Sequence, residues 1–373
     1  MGSLLNFILP PESNYGKWCF EGPMTQKVIN EYSCTQFPNI KTDYKNYILI
    51  EPTEMYHALE KRIDAILRKV DIKKFIEEHD LKIILCSIAD APPFERYRKL
   101  ALKLKKHGIL HKCIFLTSNV NLQERDVYSY HFFLEDAINH KNSFFNVQTD
   151  LGYKSEEISI EELNKFRSKK FLSFNRTVDK EHRYSLLHDY LTNDFSDSYF
   201  SFLTFEGIHC FPFQRQRLEV EEYIKHIPIE LDTNKNFNFT VNNTMRKDLF
   251  LNSCIHLVTE SSYVNNELFI SEKILKPILN YQPFIVVGPC NYLKELKRLG
   301  FKTFSKFWDE SYDTIFDPSE RYFKISDLIL KLNSYDINKL NELYQQTKEI
   351  CIYNKNHFNE MKMDDISLFF KNL

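Results

Sequence analysis

Apolar residues in this chain fall into short runs separated by amphipathic stretches, and the alternation repeats along its length. The run Tyr47-Ile48-Leu49-Ile50 predicts a strand, 55–78 a helix, 81–88 a second strand, 94–106 a helix and 112–116 a third strand. Strands that alternate with helices predict a parallel sheet with crossover helices. A second series begins at Lys169, with strands over 171–174, 199–203, 237–241, 255–259 and 284–287. Helices over 180–190, 219–226, 272–280 and 292–299 lie between or after them, and two more, about 319–332 and 337–354, close the series. Residues 124–166 are more polar and less periodic, and read as the tail of the first series running into a connection.

A chain of 373 residues exceeds one ordinary core, so two domains are expected, 1–167 and 168–373, with closing helices over 319–354. Two α/β domains facing a cleft would hold one substrate each. Lysine plus arginine (49) nearly balances aspartate plus glutamate (51), so no overall field draws in duplex nucleic acid or an anionic membrane. The 8 cysteines form no CxxC pair and no zinc spacing, and Cys86 and Cys254 sit in apolar runs. That usage points to reduced thiols and a cytoplasmic setting, in a cell or an infected host. No apolar run approaches the roughly 20 residues of a membrane span, and the run over 4–9 is too short for a signal-peptide core.

Ligand-facing loops of a parallel sheet follow the carboxyl ends of its strands. In the first series these are 87–95 (SIADAPPFE) and 117–123 (TSNVNLQ). An enzyme transferring a group to a hydroxyl needs a carboxylate base. Asp90 and Glu95 occupy the first of these loops, although Asp90-Ala91-Pro92-Pro93 also reads as a turn and Glu95 as a helix-capping residue; Glu135 and Asp136 rank behind them.

The stretch 255–304 carries the most chemistry. Glu260 ends a strand, a loop rich in serine and asparagine follows, and Ser271 is placed to cap a helix opening on Glu272 and Lys273. A cation in a first turn opposes the helix dipole, so Lys273 costs stability unless an anion lies nearby. Upstream, Asn175-Arg176 ends another strand and Arg183 lies on the helix after it. Two guanidinium groups so placed suit phosphate oxygens, but Arg183 reads equally as a solvated helix residue paired with Asp179 or Glu181.

The run FISEKILKPILNYQPFIVVGP resembles the donor-binding segment of α-1,3-fucosyltransferases, in which a Thr-Glu-Lys opens a helix before a strand and a Pro/Gly turn. With GFKTFSKFWDESYD it is similar to phage, giant-virus and bacterial glycosyltransferases related to that family, and FLSFNRTVDKEHRYSLL resembles their upstream Asn-Arg segment. The likeness spans about 169–332. It implies a GT-B fold of two Rossmann-like domains and a nucleotide sugar, GDP- or UDP-linked, in the second. It also implies diphosphate contacts from Lys273 and from Arg176 or Arg183, a ribose contact from Glu272, and a sugar or nucleotide contact from Glu260. Ser271 stands where the family has threonine, and the loop 261–269 differs from the fucosyltransferase loop, which leaves the sugar and the base open.

The chain contains no Asp-x-Asp and no HExxH, so no metal or other cofactor is expected, and cationic side chains would take the place of a divalent ion on the diphosphate. The expected activity is inverting, metal-independent sugar transfer to a hydroxyl of a glycan or glycoconjugate. The alternatives are a viral DNA-base glycosyltransferase and a non-catalytic nucleotide-sugar-binding protein. No GxGxxG follows a predicted strand, which sets aside a Rossmann oxidoreductase.

Overall fold

The computed structural model describes residues 4–9, 32–36, 38–50, 72–87, 94–122, 124–139, 157–205, 224–229, 231, 246–263, 267–363 and 369–370. The chain forms two compact units. The first takes in Met1–Glu135, Asn266–Phe269 and Asp364–Leu373, and the second Asp136–Asn265 and Ile270–Met363, so the units interleave along the sequence. No described helix is long and apolar enough to cross a membrane.

The first unit is built on a parallel sheet of β1 (Leu4–Leu9), β2 (Ser33–Gln36), β3 (Tyr44–Ile50), β4 (Lys82–Ser87), β5 (Cys113–Thr117) and β6 (Val127–Ser129), in the order β2-β1-β3-β4-β5-β6. The central strands are buried on both faces, as a sheet covered by helices requires, and so they read as unbroken apolar runs. Ile8, Ile48, Ile83 and Leu85 pack with Leu100 and Leu104 of the helix Phe94–Lys106 on one face, and Phe7, Tyr47, Leu49 and Ile84 pack on the other. Phe370 joins that second face, 4.9 Å from the Phe7 ring, which ties the end of the chain to its start.

The run over 4–9 is thus the interior strand β1. The polar stretch after 124 also holds structure, β6 and the helix Phe132–Asn139. A three-residue edge strand with half-buried and exposed side chains leaves no period to read. Of the helix expected over 55–78, Ile72–Glu78 is described, and the rest lies outside the described residues. The strand expected over 237–241 also lies outside them, as does the helix expected over 219–226 up to residue 223.

The second unit holds a parallel sheet of β7 (Lys169–Thr177), β8 (Tyr199–Thr204), β9 (Ser253–Thr259) and β10 (Phe284–Val287), in the order β10-β9-β7-β8. All of β9 is buried. Chain order moves outward from β7 to β8 and then returns to β9 on the other side, which makes the carboxyl ends of β7 and β9 the topological switch point. The helices Pro318–Asn333 and Ile337–Glu360 start where Asp317 and Asp336 accept the amide hydrogens of Glu320 and Lys339, each at 2.8 Å.

His256, in the middle of β9, is stacked on Phe250 at 6° between planes and bonds Gln282 Oε1 at 3.3 Å. Burial, reinforced by the charge of Lys276, pushes its pKa down to about 3. An unfolded chain takes up a proton near pH 6.5 that the native His256 refuses, so stability rises with pH between about 3 and 6.5, by up to about 1.4 kcal/mol per pH unit. His256→Gln should flatten this dependence. Urea midpoints at pH 4.5, 5.5 and 6.5 measure it, and an unchanged slope would count against the assignment.

Candidate functional site

The switch point between β7 and β9 is closed by side chains from the helix Glu181–Thr192. Arg183 Nη1 donates to Thr177 O at 3.3 Å and Thr177 Oγ1 at 3.2 Å, and Nη2 donates to Glu260 O at 3.2 Å. One guanidinium therefore clips the carboxyl ends of two neighbouring strands. Next to it, His182 Nε2 donates to the same Glu260 carbonyl at 2.8 Å, with its ring stacked on Tyr263 at 4.9 Å and 14°. Burial, with the charge of Arg183 beside it, holds His182 well below the usual imidazole range, so it is a neutral donor. Burial also lowers Arg183, against the opposing charges of Asp179, Glu260 and Glu272. Arg183 is therefore not a solvated helix residue. Its terminal nitrogens are engaged with the backbone, and its buried Nε has no hydrogen-bond partner.

The Glu260 carboxylate lies just beyond the end of β9 and is 1% exposed. Oε2 accepts from Ser271 Oγ at 2.5 Å and from Ser261 N at 3.3 Å, and Oε1 accepts from Tyr292 OH. Burial raises its pKa, outweighing the Lys273 charge and the hydrogen bonds from Ser271 and Tyr292. Gly288, after β10, lets the next turn approach this carboxylate closely. A Cβ there would lie 3.0 Å from Val286 Cγ1 and 3.4 Å from Glu260 Cγ. Glu260 thus holds together the loop after β9, the segment at Ser271 and the helix Tyr292–Arg298.

Lys273 lies at the outer side of this cluster. Its Nζ donates to Glu272 Oε1 at 2.7 Å and to Ser261 Oγ at 2.9 Å. Burial alone would raise the Glu272 carboxyl, but the charge and hydrogen bond of Lys273 prevail and lower it. The helix expected to open at Glu272 opens instead at Leu275 and ends at Leu279. Residues 272–274 form a turn, and Ser271 caps no helix; its Oγ accepts from Lys273 N at 3.2 Å. Pro277 gives the physical reason. Proline lacks an amide hydrogen and is tolerated only in a helix's first turn, so it draws the start toward Leu275. At its other end Tyr281 adopts a left-handed φ of 53°. This shift matters chemically, because adjacent residues on a helix do not face each other, whereas in this turn Glu272 and Lys273 meet.

The remaining expected residues are dispersed. Asn175 is 1% exposed, and its side chain works inside the sheet, accepting from Thr259 Oγ1 at 2.6 Å and donating to Ser173 Oγ at 3.1 Å. Arg176, on the opposite side of β7, is exposed, and its carbonyl accepts from Thr204 Oγ1 at 3.3 Å. Of the candidate bases, Glu95 is exposed in the first turn of its helix, Glu135 is fully buried, Asp136 lies on the helix Phe132–Asn139, and Asp90 is outside the described residues.

Three contributors escaped the sequence reading: His182, Tyr292 and Arg321. Arg321 is fully buried and donates from Nε to Gly288 O at 3.2 Å, from Nη1 to Ile315 O at 2.8 Å and Phe316 O at 3.3 Å, and from Nη2 to Tyr263 O. Its guanidinium also lies 4.5 Å from the Tyr263 ring centre. Nothing in the helical run around Arg321 marks it, since a surface arginine would look the same. His182 had one available signal, its place beside Arg183 in the turn of helix that faces the strand ends.

No family model matches the chain, and no curated protein matches it. Among solved structures it is similar to an α1,3-fucosyltransferase, at 10% identity over 97% of this chain and 94% of the other, with a TM-score of 0.35. A structure of α1,3-fucosyltransferase with GDP gives 11% identity, 96% and 94% coverage and a TM-score of 0.35. One with GDP-fucose gives 11%, 97% and 92%, and 0.32.

Proposed function

We propose that this protein is a glycosyltransferase that takes a nucleoside diphosphate sugar in its second unit and moves the sugar to an acceptor hydroxyl. The observation that carries this reading is the Lys273 ammonium, 23% exposed, on a turn beside the switch point of a parallel sheet. Switch points of open α/β sheets are where nucleotides bind, and a partly exposed cation there suits a diphosphate. The sequence likeness of FISEKILKPILNYQPFIVVGP to fucosyltransferase donor segments supports the same assignment. Arg183 and Glu260 then serve as the frame beneath the ligand, and Arg176, exposed on β7, as a further cation for it.

In this mechanism the acceptor oxygen attacks the anomeric carbon, the carbon–oxygen bond to the diphosphate breaks, and the bonding pair leaves on the diphosphate oxygen. Lys273 offsets that developing charge, without need of a divalent ion. The acceptor proton passes to a carboxylate acting as general base. Attack from the face opposite the diphosphate inverts the anomeric centre.

The test is release of nucleoside diphosphate from GDP- and UDP-linked sugars by the purified protein, with and without chelator. Slow release without acceptor, unaffected by chelator, is expected. No release from any donor would favour a binding protein, and activity lost to chelator and restored by magnesium or manganese would overturn metal independence.

A further inference from the structure

We propose that the outer face of the helix Phe94–Lys106 is a docking surface for an anionic lipid bilayer. The chain as a whole is nearly balanced, with 49 lysines and arginines against 51 aspartates and glutamates, but this helix carries six lysines and arginines against one carboxylate, Glu95. Its apolar residues Leu100 and Leu104 lie in the core of the first unit. What remains outside is a stripe at helical spacing, Glu95, Arg98, Lys99, Leu102, Lys105 and Lys106, and all six are exposed. Two ordinary explanations cover only part of it. Cations in a last turn complement the helix dipole, which accounts for Lys105 and Lys106 but not for Arg98 and Lys99 in the second turn. Ion pairing is the other, and among the described residues no carboxylate pairs with the side chains of Arg98, Lys99, Lys105 or Lys106. The carboxylates of the preceding segment have lysines of their own, Glu77 with Lys73, Glu78 with Lys74 and Asp80 with Lys112. Those of Glu124 and Asp126 act on Tyr97, which packs on Phe115 at the side of the helix.

Leu102 decides the kind of partner. It is 58% exposed at the centre of the stripe, with Arg98 and Lys99 one turn before it and Lys105 and Lys106 one turn after. A soluble polyanion would draw the four cations and leave this side chain in water. An anionic bilayer takes both, because its headgroups meet the cations while Leu102 enters the acyl boundary and its apolar surface leaves water. The long stems of lysine and arginine let their charges stay at headgroup level around it. Attachment of this kind is peripheral and weakens as salt rises. It draws on no residue of the proposed nucleotide-sugar site.

Co-sedimentation of the full chain with vesicles of phosphatidylcholine, with and without about one third phosphatidylglycerol, tests this. Binding to the anionic vesicles alone, released at high salt, is expected. Arg98→Gln, Lys99→Gln, Lys105→Gln and Lys106→Gln combined should weaken that binding by more than about 100-fold. Leu102→Ser should weaken it by about fivefold. All five positions are exposed, and circular dichroism checks that the variants fold. Absence of binding to anionic vesicles by the parent, or binding unchanged in the fourfold variant, would overturn the proposal. Competition by heparin, together with a Leu102→Ser variant that binds vesicles as well as the parent does, would give the face to a soluble polyanion and overturn the lipid assignment.

Discussion

Lys273→Ala is expected to weaken nucleoside diphosphate binding by about 100-fold, or ~2.7 kcal/mol. Two effects contribute. The ligand loses a charge-assisted contact at a site only partly open to water, and Glu272, whose carboxylate lies 2.7 Å from the ammonium, loses the cation that keeps it ionised. Arg176→Ala should cost far less, about threefold, because an exposed guanidinium works against solvent screening. Titration calorimetry at one fixed ionic strength gives both numbers. Equal affinities in the parent and Lys273→Ala would remove the diphosphate assignment.

The second large effect is on stability, and it comes from a residue with no proposed contact to ligand. Arg321→Ala should destabilise the second unit by about 3 kcal/mol, because the carbonyls of Gly288 and Tyr263, in buried hydrogen bonds, and the partly buried ones of Ile315 and Phe316 lose their common donor. Lysine at this position offers a point charge in place of a planar fork and should recover only part of the loss. Urea unfolding followed through the buried Trp308, in a Trp18→Phe background, reports on this unit. Because Arg321 also holds the Tyr263 segment on which His182 is stacked, nucleotide affinity should fall with stability. An unchanged midpoint would show that these carbonyls find other donors.

Much of the fold was legible because buried parallel strands are apolar on both faces. Tyr47 to Ile50, 255–259 and 284–287 stand out for that reason, and the helix Phe94–Lys106 matches its expected limits. The elements that escaped were short or atypical. β2 and β6 have few buried side chains and no period, while the run at Leu4–Leu9 was weighed as a leader segment instead of a strand. At the site, Glu260 was singled out from its place at a strand end, Arg183 from the helix after a strand, and Lys273 from a first turn expected to follow a capping serine. Most of their partners were not, since, apart from the adjacent Ser261 amide, hydrogen bonds to the Glu260 carbonyl and carboxylate come from residues 11 to 78 positions away.

The sequence by itself determined the alternation of strands and helices in both halves, the parallel sense of the sheets, and the choice of Lys273 as a cation in want of an anionic neighbour. Periodicity and residue type are local, and these conclusions need nothing more. Only the tertiary structure decided that β7 and β9 form the switch point, that Arg183 and His182 grip the Glu260 backbone instead of facing solvent, and that Asn175 works inside the sheet. It also decided that the helix after Lys273 starts late enough for Glu272 and Lys273 to meet. Strand order and side-chain partnership join residues far apart in the chain, and which donors reach a buried acceptor is fixed only once the strands have packed.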